Sequence, residues 1–130
     1  MELIFLSVDE VLEIHHEQIE LYGGSLGLRD AGALESAIAT PMATFDAEYL
    51  HATIPAMAAA YLFHIAQNHP FIDGNKRAGA KAALVFLEVN GWESTFDGDR
   101  LEETVLGVAA GVIRKPDLTL LLEKNSRLMS

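Results

Sequence analysis

The sequence predicts an all-α fold. Apolar residues recur at helical spacing in segment after segment, and no stretch alternates apolar and polar residues for long enough to call for a strand. Two alanine-rich runs, around residues 57–66 and 78–89, are apolar on every side, so both read as buried central helices. With 130 residues, half of them hydrophobic, the chain suits one compact domain over 1–130 whose core needs no metal or disulfide staple.

Ser7 and Glu10 form a capping box ahead of Val11, Leu12, Ile14, Ile19 and Leu21, and Gly23-Gly24 stops that helix, placing it at roughly 8–22. Asp30 can cap a second helix through Leu34 and Ile38, which Pro41 ends because proline disfavours a helical residue before it. A less regular, extended segment follows to about His51. Pro55 suits the first position of the next helix, the first of the buried pair. The second buried helix ends at Asn90-Gly91. Asp99 with Glu102 caps a helix through Leu101, Val105 and Val112, and Asp117 after Pro116 enters a last one through Leu122.

Composition narrows the function. There is no cysteine, so disulfides, thiolate metal sites and thiol nucleophiles are excluded. The N-terminus lacks a basic segment and cleavage site, which makes a cytoplasmic location the expectation. The uncharged stretch from Tyr49 to Ile72 contains His51, Pro55, His64, Gln67, Asn68, His69 and Pro70, and reads as a buried helix rather than a membrane span. A net charge of −10 is the wrong sign for direct DNA or RNA binding through many phosphates. Between Arg29 and Arg100 the only Lys or Arg residues are Lys76, Arg77 and Lys81, the kind of cluster a local anion site needs.

The two buried helices are joined by His69-Pro70-Phe71-Ile72-Asp73-Gly74-Asn75-Lys76-Arg77. A polyphosphate gives each polar member work. Gly74 allows backbone angles that let the amides of Gly74, Asn75 and Lys76 face outward at a helix start, making an anion cradle. Asp73 is placed to hold a magnesium ion, which favours one carboxylate plus phosphate oxygens. Lys76 and Arg77 neutralise phosphate charge, and His69 can accept a proton from an attacking hydroxyl. Phe71 reads as an anchor that stops the loop drifting. Taken singly, each has a plainer meaning: a solvated histidine, an Asp-Gly turn, a charged helix face. Those plain readings need separate coincidences within nine residues. His15 and His16 read as surface or packing residues of the first helix, His64 as a core histidine that could alternatively support the loop, and His51 and Asp97-Gly98-Asp99 as structural.

The loop resembles the Fic motif, H-P-F-x-D/E-G-N-G-R-x-x-R, and Lys76 after Asn75 makes it similar to the Doc (death-on-curing) branch, H-x-F-x-D-A/G-N-K-R. Phe5-Leu6-Ser7, Tyr22-Gly23-Gly24, Gly27-Leu28-Arg29-Asp30 and Met57-Ala58-Ala59-Ala60-Tyr61-Leu62 extend the resemblance over nearly the whole chain. It implies a compact Fic-type helical bundle with the active loop between two central helices. It also implies His69 as catalytic base, Asp73 as magnesium ligand, and Gly74, Asn75 and Arg77 as phosphate contacts, with ATP as co-substrate. Most Fic enzymes transfer AMP to a protein hydroxyl, whereas Doc-type members carry lysine at the position of Lys76 and are understood to transfer the γ-phosphate. The implied target is elongation factor Tu, and the implied result is arrest of translation.

Ala80 stands where the Fic motif has its second arginine, with Lys81 beside it as the available phosphate contact. No glutamate is followed by glycine or asparagine, so the self-inhibitory Fic helix is missing. The resemblance then implies restraint by an antitoxin whose disordered C-terminal segment folds on an apolar groove, and a substrate-aligning flap at Pro41 to Tyr49. AMP transfer, a catalytically silent binding module and a metal-dependent phosphohydrolase are the rival readings.

Overall fold

The computed structural model describes residues 2–130 and is built mainly of helices. In chain order these are α1 (Val8–Tyr22), α2 (Ala31–Ala39), a 3-10 turn (Thr40–Met42), a two-residue hairpin of β1 (Thr44–Phe45) and β2 (Glu48–Tyr49), α3 (Ile54–Asn68), α4 (Asn75–Val89), β3 (Trp92–Ser94), α5 (Gly98–Ala109), α6 (Lys115–Lys124) and β4 (Ser126–Leu128). The all-α expectation holds, with two small additions. The hairpin turns on Asp46 and Ala47, both at positive φ, and β3 pairs antiparallel with β4. Strands of two and three residues are too short to show an alternation.

The caps explain the boundaries. Ser7 and Glu10 make the reciprocal capping box of α1, and Asp30 accepts from Ala33 N to start α2. Pro41 lies inside the 3-10 turn rather than beyond a helix end. Thr53 caps α3 through Ala56 N, with Pro55 in the first turn. α5 is capped by Asp97, whose carboxylate accepts from Arg100 N, so the expectation of Asp99 as cap is corrected by two residues. Both aspartates precede an apolar run, and the one that meets a free amide wins.

α3 is the axis of the molecule, with Ala58, Ala59, Ala60, Tyr61 and Ile65 sealed from solvent. α4 packs tightly against it at Gly79, where an added Cβ would lie 3.1 Å from Leu62 O. Tyr61 uses its hydroxyl to accept from Leu6 N at 3.0 Å, and burial pushes its pKa up to about 12. Asn90 ties the N-terminal segment to the end of α4, accepting from Ile4 N and donating to Ile4 O and Phe86 O. The N-terminal segment is thus fixed against the middle of α3 and the far end of α4, opposite the junction that joins the two helices. No helix among the described residues is long and apolar enough to cross a membrane.

Candidate active site

Two left-handed residues frame the junction. α3 ends at Asn68 and His69 follows as its C-cap at φ 48, ψ 54. Gly74, at φ 77, ψ 18, precedes the first residue of α4. Its positive φ favours glycine there, while an added Cβ would press only on the flexible end of Ile19, Cδ1 at 2.9 Å. Between the two, Phe71 is buried. Asn75 closes the loop around it: Phe71 N donates to Asn75 Oδ1 at 2.9 Å, and Asn75 Nδ2 donates back to Phe71 O at 3.0 Å.

Residues 23–30 run alongside as a strap. Ile72 N donates to Gly27 O, and the amides of Arg29 and Asp30 both donate to Pro70 O. The Arg29 guanidinium donates to the carbonyls of Asn68 and His69, which the end of a helix leaves without partners. His69 therefore has a fixed backbone and an exposed side chain.

Asp73 is exposed as well. Ser25 N donates to its Oδ2 at 3.2 Å and Gly74 N to its Oδ1 at 2.8 Å. Those two backbone hydrogen bonds, Ser25 first, hold its pKa below the ordinary carboxylate value, with smaller help from the charges of Arg77 and His15. The carboxylate stays anionic. The Gly74 amide is accordingly turned to Asp73, whereas the amides of Asn75, Lys76 and Arg77 have no partner among the described residues, since no side chain caps α4.

The cations gather on another side of the same junction. Arg77 donates through Nη2 to Gly23 O at 2.9 Å and through Nη1 to Gln18 O at 3.4 Å, with its guanidinium 5.9 Å from the Tyr22 ring centre. α1 has no basic residue in its own last turn, so Arg77 supplies the positive charge favoured at a helix C-terminus. Lys76, Arg77, Ala80 and Lys81 line a groove of about 640 Å³ with Glu17, Tyr22, Leu101 and Glu102. His69 and Asp73 do not line it. The nine-residue loop thus divides into an outward pair, His69 and Asp73, and a cationic groove, joined at the open amides of α4.

Two histidines have roles the sequence did not reveal. His15 is packed, as one of its readings had it, but against the loop: its ring stacks on Phe71 with centres 3.7 Å apart, and its Nε2 lies 2.7 Å from Asp73 O. Its spacing from Val11 and Ile19 put it on the buried face of α1, which was a usable signal. His64 turns to α6 instead of the loop, with Nε2 2.8 Å from Lys115 Nζ. Burial first, then the charge of Lys115 and of His51, pushes its pKa down to about 4.

The chain is 41% identical over 90 residues to Toxin Doc of Mycolicibacterium smegmatis, covering 68% of this chain and 69% of that one. It is 34% identical over 108 residues to Protein kinase doc of Escherichia phage P1, covering 83% and 84%. A family profile described as Fic/DOC family matches residues 5–87, a span that holds α1 through most of α4, the strap and the entire loop. The chain belongs to the Fic/DOC family.

Proposed function

We propose that the protein transfers the γ-phosphate of ATP to a hydroxyl of a host protein, with elongation factor Tu as the target, and that it is the toxin of a toxin-antitoxin pair. The observation that carries this reading is the uncapped start of α4, whose open amides at Asn75, Lys76 and Arg77 lie between an exposed imidazole and a cationic groove. Such a helix start binds phosphate oxygens through its amides and its dipole. The names of the two relatives, one a toxin and one a protein kinase, support it.

In this reading the target hydroxyl oxygen bonds to the γ-phosphorus, the bond from that phosphorus to the β–γ bridging oxygen breaks, and ADP leaves. His69 accepts the hydroxyl proton on a ring nitrogen. Lys76 and Arg77 offset the phosphate charge, with Lys81 one turn further along α4, while Gly74 and Asn75 shape the cradle. Asp73 fits a magnesium ion carried by the nucleotide: it is exposed, anionic, and placed by two backbone amides. Magnesium so held would neutralise phosphate charge and orient the γ-phosphoryl group.

The hairpin of β1 and β2, with Phe45 exposed, is suited to act as the flap that lays a target segment across the loop. An antitoxin segment that folds on binding fits the groove between α1, α4 and α5, where Leu21, Leu101 and Leu106 offer apolar contacts. The proposed setting is the cytoplasm, without direct DNA contact.

Incubation with the target and ATP labelled separately at the α and γ positions tests the reaction. Label from the γ position on a protein hydroxyl is the expected result. Label from the α position would establish AMP transfer instead, and nucleotide binding without turnover would establish a silent module.

A further inference from the structure

We propose that His15 is a positioning residue that sets the peptide plane between Asp73 and Gly74. The inference rests on the reading of Asp73 given above. A carbonyl oxygen can only accept, so the 2.7 Å contact to Asp73 O requires the proton on His15 Nε2. The ring has no freedom to leave that position: His15 is 3% exposed and lies at 2° to the Phe71 ring.

A trans peptide points its C=O and its N–H in opposite directions. Holding Asp73 O inward against α1 therefore turns the Gly74 N–H outward, where it donates to Asp73 Oδ1. The same carboxylate then meets Ser25 N through Oδ2. Gly74 is the residue at which this plane could turn most freely, because glycine tolerates both signs of φ. His15 removes that freedom from a distance of 58 residues in sequence. It aims the carboxylate of Asp73 without touching substrate.

Two substitutions separate its parts. His15→Phe keeps a flat ring on Phe71 and loses the donor, whereas His15→Gln keeps a donor near Nε2 and loses the ring. In the unliganded protein, amide hydrogen exchange at Gly74 and Ser25 is expected to quicken about tenfold in His15→Phe, the weight of one hydrogen bond, with α3 amides unchanged. In His15→Gln the two amides should stay protected. In phosphate transfer, His15→Phe should lower kcat by up to about a hundredfold at nearly constant KM for ATP, and His15→Gln should recover most of it. Wild-type exchange at both amides in His15→Phe overturns the proposal. If His15→Phe fails to fold, rapid exchange at Gly74 in folded His15→Gln overturns it. An unmutated protein that transfers nothing removes the reading of the site, and the exchange result still judges His15.

Discussion

At the scale of single residues, the loop's chemistry follows from which groups are held and which are left outward. His69 is fixed through its carbonyl, not its ring, so His69→Ala should leave the fold intact and lower phosphate transfer by a hundredfold or more, about what a general base contributes. A circular dichroism melt beside a transfer assay checks both halves. Asp73→Asn keeps an acceptor for Ser25 N but loses the charge, and should raise the magnesium needed for half-maximal transfer about tenfold or more; an unchanged magnesium titration counts against Asp73 as the ligand. Lys76→Gly should lower γ-label transfer, since it removes a cation from the second residue of α4. These positions were legible because their types are rare in a core junction and crowd into nine residues. His15 was not, because a histidine on a buried helix face looks the same in sequence whether it packs or aims a loop.

Among elements, the contact of α3 with α4 places the loop, and Gly79 governs their approach. Alanine at that position adds helix propensity of up to about 1 kcal/mol. The added Cβ, however, would lie 3.1 Å from the Leu62 carbonyl oxygen and 3.5 Å from Ile65 Cβ, and overpacking a tight contact costs about 1–3 kcal/mol. The neighbour is backbone of a buried helix, so overpacking wins. Gly79→Ala should lower the thermal midpoint by several degrees, and an equal or higher midpoint would show that the helices can part without cost. Periodicity revealed all six helices, while the cap of α5, the β1–β2 hairpin and the pairing of β3 with β4 escaped it. A hairpin turning on Asp46-Ala47 has none of the usual glycine signal, and a choice between Asp97 and Asp99 depends on which carboxylate reaches a free amide.

For the molecule as a whole, His64 couples folding to pH. Its pKa is about 4 in the fold against an ordinary 6.5, so below 6.5 the unfolded chain takes up a proton that the folded chain refuses. Stability from this residue is complete above 6.5 and is lost as pH falls through 4, moderated because water reaches the half-buried ring. Lys115→Met, which removes one cause of the depressed pKa, should flatten the fall in thermal midpoint between pH 6.5 and 4; a curve parallel to that of the unmutated protein would exclude the coupling. The partnership joins residues 51 positions apart, which no spacing along the chain announces. What the sequence did announce at this scale, a buried central pair of helices and a cation cluster on an acidic chain, rests on local runs of residues.

One feature of the junction bears on how such a protein evolves. His69 occupies a left-handed backbone conformation that costs a side-chain-bearing residue on the order of 1 kcal/mol and costs glycine nothing. Selection for stability alone would drift toward glycine at this position. A population freed from the need for activity should accumulate His69→Gly, and that variant should resist urea better than His69→Ala although both lack the imidazole. If His69 has the role proposed for it, stability and activity pull apart at this one position.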